Sequence, residues 1–160
     1  MNKIEELRSE LNNFKEEFEK KIDKLEKEEQ DWKPECNEEY WFYDRDLENI
    51  RMATWLDFPV DNKRLRNKVI FKTEEEAQRY ADYQEAKREE SYDFSKEEWK
   101  DSDIEKYYIY YNYIDEQLKI SLDYVCKDLN KISFKSKEQA QEFINKYKDE
   151  ILEFEFGIKE

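Results

Sequence analysis

Apolar side chains recur every seven residues at the start of the chain, at Ile4, Leu11, Phe18 and Leu25, with Leu7 and Phe14 in the second position of the same heptad. Glu and Lys fill most of the places between them. This spacing predicts one long, coiled-coil-like helix over residues 3–30, whose seam is Ile4, Leu7, Leu11, Phe14, Phe18 and Leu25 and weakens where Lys21 takes a seam position. A short seam without a partner surface is marginal. Two readings stand: the helix lies on its own domain, or it pairs with a second copy to make a homodimer. Pro34 closes the segment, because proline disfavours helix in the residue before it.

Beyond Pro34 the pattern changes. Tyr40-Trp41-Phe42-Tyr43 predicts a strand, residues 50–56 a second and Val69-Ile70-Phe71 a short third. Thr73 followed by Glu76 predicts a capping box that opens a helix through Ala77, Tyr80, Ala81 and Gln84. The unit then recurs. Tyr107 to Tyr111, Leu118 to Tyr124 and Ile132-Ser133-Phe134 repeat the three strands, and Ser136 with Gln139 repeats the box before Ala140, Phe143, Ile144 and Tyr147. Residues 71–78 and 134–141 align without a gap.

The expected class is therefore α+β: a long N-terminal helix over residues 1–31, then two tandem ββ(β)α units with antiparallel sheets. The units are expected at 32–90 and 107–160, with an acidic connector at 91–106. Ser95 and Glu98 predict a short helix in that connector. The tail Ile151-Leu-Glu-Phe-Glu-Phe156 alternates and predicts an edge strand.

Composition changes the picture in two ways. Charged residues make up 45% of the chain, which alone suggests disorder, but 12 Tyr, 10 Phe and 4 Trp supply enough area for a compact aromatic core. The net charge of −14 is also uneven, with 13 acidic and 6 basic residues at 74–106 against 8 of each at 32–73. The neutral part holds a basic cluster, Lys63-Arg64-Leu65-Arg66-Asn67-Lys68, expected in a loop.

Absences bound the chemistry. There is no histidine, so triads and the commonest transition-metal ligand are excluded. Cys36 and Cys126 are too few for a zinc site and do not form a secreted disulfide framework. The one glycine, Gly157, leaves no phosphate-cradling loop, so nucleotide cofactors are not expected. With no apolar N-terminal run, neither a signal peptide nor a membrane span is expected, and the cytosol is the expected compartment.

Three functional readings remain, each beside a plainer one. The acidic stretch fits a partner's basic nucleic-acid groove, or it is a solvated face that keeps the chain soluble. Its candidate contact residues are Glu89, Glu90, Tyr92, Asp93, Glu97, Glu98, Trp99, Asp101 and Asp103, because exposed aromatics among charges anchor interfaces. The basic cluster fits phosphate or RNA, or it pairs internally; the negative field around it argues against direct nucleic-acid binding. Asp44, Asp46, Asp57 and Asp61 fit a Mg²⁺ enzyme, but 43 acidic residues make such pairs common by chance. Binding without catalysis, metal or cofactor is the expectation.

The residues Trp32-Lys-Pro34, Tyr40-Trp41-Phe42, Trp55, Asp61-Asn-Lys-Arg64 and Phe71-Lys-Thr-Glu-Glu-Glu-Ala77 resemble a group of small phage and prophage proteins of low-GC Gram-positive bacteria. The resemblance covers residues 32–80, and the second repeat resembles the C-terminal half of some members. The chain departs at Lys68-Val69, where the group often has Gly-Asn and a tight turn is expected. The resemblance implies a viral accessory role in the host cytosol. It points to an inhibitor of host defence, of anti-CRISPR type, docked on a basic defence nuclease. The alternative is a coiled-coil adaptor or assembly protein of the phage.

Overall fold

A computed structural model describes residues 14–15, 18–21, 32–123 and 132–159. The first unit opens with β1 (Glu39–Asp44) and β2 (Asn49–Thr54), paired antiparallel with Tyr43 opposite Ile50. Helix α1 (Pro59–Arg66) follows, then β3 (Ile70–Phe71) and α2 (Glu74–Glu90). The strand order is β2-β1-β3, so the most aromatic strand is central. Thr73 accepts from the Glu76 N–H and Glu76 answers the Thr73 N–H, the reciprocal cap that starts α2.

The second unit repeats this plan. Strands β4 (Lys106–Asn112), β5 (Gln117–Asp123) and β6 (Ser133–Phe134) order as β5-β4-β6, and α4 (Lys137–Glu150) follows a Ser136 cap. The registers match as well: Trp41 faces Phe71 where Tyr107 faces Phe134. The Tyr43 N–H donates to the Val69 carbonyl, and the Ile109 N–H donates to that of Ile132. Both hairpins turn through four residues whose last is a glutamate in the left-handed region, Glu48 (φ 50°) and Glu116 (φ 53°). Asp44 and Asn112 hold these turns by accepting two backbone N–H groups each.

Each sheet packs one face on its own helix. In the first, Tyr43 and Val69 meet Tyr80 of α2; in the second, Ile109 and Phe134 meet Phe143 and Ile144 of α4. The two units are sewn together by α2 and the chain end. Tyr83 of α2 is buried in the second core, and Phe154 sits edge-on to Tyr80 with ring centroids 5.0 Å apart. Glu155 accepts from Tyr83 Oη at 3.0 Å and pairs with Lys87 Nζ at 2.6 Å. Burial and that carboxylate push the Tyr83 phenol far above its ordinary pKa. Arg79 pairs with Glu150 and Glu153, and Glu90 with Lys146 and Tyr147.

Three expectations are corrected. The chain is α+β with two three-stranded antiparallel sheets, but no long N-terminal helix is present among the described residues, and the longest helix is α2 with 17 residues. Of the expected seam only Phe14 and Phe18 are described; they are helical and 62% and 54% exposed. Ile4, Leu7, Leu11 and Leu25 lie outside the described residues. Among the described residues no core cluster includes the Phe14–Phe18 pair, so nothing described covers the expected seam.

The tail is a π-helical stretch, Ile151–Glu155, in place of an edge strand. Ile151 and Leu152 are buried while Phe154 reaches α2 and Phe156 reaches Tyr111, so its apolar residues serve separate neighbours. The basic cluster is in α1 and its exit, not in a loop. Pro59 occupies the first turn, where its missing N–H costs nothing. The exit turn is made by Lys68 at φ 53°, a left-handed position usually given to glycine.

Candidate interaction surfaces

The connector is a folded cap. Tyr92 donates its N–H to the Ser133 carbonyl, which ties the segment to β6. Phe94 and Trp99 are buried edge-to-face, their centroids 5.7 Å apart, with Tyr92 against Phe94 at 4.7 Å. Lys106, the first residue of β4, is 1% exposed. Its ammonium donates to the carbonyls of Asp101 (2.8 Å) and Ile104 (2.7 Å) and lies over the rings of Phe94 and Trp99. Helix α3 (Lys96–Lys100) is capped reciprocally by Ser95 and Glu98. The Trp99 indole N–H is buried without an acceptor among the described residues.

This divides the candidate contact residues. Trp99 is core, Tyr92 lies beneath the Lys135 ammonium at 3.8 Å, and Glu98 accepts from Ser95 N and Tyr92 Oη. The Ser95 N–H bond, with further hydrogen bonds, holds the Glu98 carboxyl below its usual pKa. Glu90 belongs to the seam between the units, and the hydrogen bond from Lys146 lowers its pKa. Glu89, Asp93, Glu97, Asp101 and Asp103 remain exposed.

The exposed carboxylates continue along α2. Glu75, Asp82, Glu85 and Glu89 fall on one outward row, about 21 Å long at 1.5 Å per residue. All three cations of this helix are engaged elsewhere: Arg79 and Lys87 with the chain end, Arg88 with Glu48 of the first hairpin. Among the described residues, Glu75, Glu85, Glu89 and Glu97 have no cation at ion-pair distance. A hollow of about 280 Å³ between the hairpin and α2 is lined by Tyr43, Ile50 and Ala81 together with Asp82, Glu85 and the Arg88–Glu48 pair. The acidity of this surface was visible in composition. Its lack of internal compensation was not, since Arg79, Lys87 and Arg88 stand within the same helix.

A second surface lies on the opposite face of the first sheet. Tyr40, Phe42 and Trp55 form a cluster there with Leu65 of α1 and Trp32. Inside it the buried Asp61 carboxylate accepts from Tyr40 Oη (2.7 Å), the Leu56 N–H (3.2 Å) and the Phe58 N–H (3.1 Å). Arg64 donates to Tyr40 Oη at 2.8 Å and lies 3.6 Å over the Phe42 ring. Burial opposes ionisation of Asp61, but these hydrogen bonds and the Arg64 charge outweigh it and hold its pKa below the usual carboxylate range. Tyr40 is pushed up by its own burial and by Asp61.

Pulled from within by Asp61, the segment turns through Asp57 at φ 58° and presents Leu56, Phe58 and Val60 outward, 43%, 55% and 48% exposed. Asn62 fastens the turn from outside by donating to the Asp57 and Phe58 carbonyls. Hydrogen bonds hold this apolar knuckle from both sides, which lowers the cost of ordering it on contact. The only advance signal was Pro59 with Asp61 two residues later, a helix start in a charged stretch.

Three of the four carboxylates weighed for metal chemistry are occupied separately. Asp44 holds the hairpin and faces Arg51, Asp57 accepts from Asn62 and faces Lys33, and Asp61 is used inside. Among the described residues no three His, Cys, Asp or Glu groups are placed to share a metal ion. No helix among them is long and apolar enough to cross a membrane. Compared with family models, curated proteins and solved structures, the chain finds no match in any of the three.

Proposed function

We propose that the protein is a non-catalytic binding protein whose acidic α2 face, continued by the rim of the connector, docks on a basic, nucleic-acid-processing protein of a host cytosol. It inhibits that partner by occupying the surface on which nucleic acid is held, or by blocking its activation. One observation supports this above the others: four of the seven carboxylates of α2 form an outward row while every cation of that helix is turned to another element. A face meant only for solubility gains nothing from such segregation, since mixed charges serve equally well. The resemblance of residues 32–80 to small prophage proteins supports the setting, an anti-defence role of anti-CRISPR type. A second reading, an assembly adaptor, is favoured by the exposed Phe14–Phe18 pair.

The test is capture from a host lysate, followed by titration of the purified partner at rising salt with duplex DNA as competitor. The proposal expects affinity to fall steeply with salt and DNA to exclude the protein. Salt-insensitive binding sinks it, and a stable ternary complex with DNA in its usual groove rules out occupation of that groove and leaves only a block of activation.

A further inference from the structure

The hollow between the first hairpin and α2 joins an apolar floor to an acidic rim. Tyr43, Ile50 and Ala81 supply the apolar surface, and the exposed Asp82 and Glu85 border it, one turn apart on the same face of α2. Asp82 accepts from Gln78 Nε2 at 2.7 Å, and Glu85 has no cation at ion-pair distance among the described residues. Arg88 also lines the hollow, but its charge is taken by Glu48 of the hairpin. Both walls are fixed: Asp44 holds the hairpin turn, and Thr73 with Glu76 caps the helix. At about 280 Å³ the hollow falls short of the ~300 Å³ where small-molecule pockets begin, so it suits a single side chain better than a cofactor.

Elsewhere the chain shows what such a setting holds. Arg64 lies 3.6 Å over the Phe42 ring and 3.8 Å from Asp61. Arg79 lies 5.1 Å over Phe154 and pairs with Glu150, and Lys33 lies 5.0 Å over Trp55 and 3.6 Å from Asp57. Each is a cation resting on an aromatic ring while a carboxylate takes its charge. We propose that the hollow receives one arginine side chain of the partner, its apolar stem against Tyr43, Ile50 and Ala81 and its guanidinium shared between Asp82 and Glu85. This rests on the docking of α2 on a basic partner and names the anchor of that contact. A guanidinium suits the site better than an ammonium. Its planar fork reaches two carboxylates at once, and its weak hydration lets it lie on an aromatic surface. Asp82 and Glu85 are the middle pair of the outward row, and arginine anchors cluster near the centre of an interface. Glu75 and Glu89 then flank the anchor and steer a basic surface toward it.

The test is a titration of the isotope-labelled full chain with N-acetyl-arginine amide, followed by backbone amide shifts in NMR, which needs no partner. Saturable shifts are expected at Ile50, Ala81, Asp82 and Glu85, with a Kd below about 10 mM. The neutral isostere N-acetyl-citrulline amide is expected to bind about tenfold more weakly or worse. Two variants separate the hollow from general acidity, with circular dichroism as the folding control. Asp82→Asn with Glu85→Gln removes the rim charges, and Ala81→Leu fills the floor while keeping every charge. Each is expected to weaken the arginine probe by about fivefold or more, whereas Glu75→Gln with Glu89→Gln changes it by less than about twofold. No saturation by about 50 mM probe overturns the proposal, as does equal binding of the citrulline probe. So does a probe that ignores the Asp82 and Glu85 changes, which stay on the surface and decide the matter even where Ala81→Leu does not fold. A failed probe leaves the docking of α2 standing, because salt-dependent capture of the partner decides that separately.

Discussion

The two sheets share strand order, register and hairpin turns, yet each holds the segment over its far face by a different device. The position that precedes Trp41 in the first unit is Tyr40, and the one that precedes Tyr107 in the second is Lys106. Both are buried polar anchors. Tyr40 works through a carboxylate hub that gathers a phenol, two backbone N–H groups and a guanidinium, and so fixes a segment that follows the hairpin. Lys106 works through two carbonyls and two aromatic rings, and fixes a segment that precedes it. A duplicated sheet thus tolerates unlike caps, provided that one strand position supplies a polar group with several partners.

The comparison breaks most visibly at Asp61. Asp61→Ala leaves the Tyr40 hydroxyl and two N–H groups without their acceptor and Arg64 without its counter-ion, an expected loss of about 3 kcal/mol in urea unfolding. If the loss is under 1 kcal/mol, the hub does not hold the knuckle. Acid sharpens the same point. Because the folded Asp61 pKa is depressed, its contribution is present above the ordinary carboxylate pKa of about 4 and is lost as pH falls below it. The melting temperature of wild type should therefore fall toward that of Asp61→Asn between pH 4.5 and 2.5 (roughly), and parallel curves would contradict the assignment.

The second cap should be more forgiving. Lys106→Met keeps the apolar stem among Phe94 and Trp99, and the carbonyl of exposed Asp101 can turn to water. The expected cost is about 1 kcal/mol, clearly below that of Asp61→Ala in the same denaturant series. A larger cost would make the two anchors equal. Smallest of all, Trp99→Phe removes a buried N–H that has no acceptor among the described residues, so the change in stability should stay within about 1 kcal/mol of zero. A loss of several kcal/mol would show that the missing part of the ring, packed on Phe94 and under Lys106, outweighs the relief of the N–H.

What was legible in the sequence was local. The aromatic runs at 40–43 and 107–111 mark β1 and β4, and Thr73 and Ser95 with a glutamate three residues later mark where α2 and α3 begin. Non-local choices were hidden. Helix α1 has a weak apolar stripe and is held by Asp61, whose partners are 21 residues back and in the preceding loop. Five left-handed positions, Asn37, Glu48, Asp57, Lys68 and Glu116, have no glycine to announce them. The connector's Tyr92 and Trp99 read as surface anchors because nothing nearby in sequence shows that Lys106 folds them inward. The alternating tail read as a strand because period two cannot reveal that Phe154 and Phe156 have different neighbours.

The direct measurement of the central claim is capture from a host lysate by three folded proteins side by side: wild type, an α2 variant with Glu75→Lys, Asp82→Lys and Glu85→Lys, and a knuckle variant with Phe58→Asp and Val60→Asp. The α2 variant is expected to lose the captured protein while the knuckle variant still binds it. Capture of the same protein, at the same salt, by the α2 variant would contradict it.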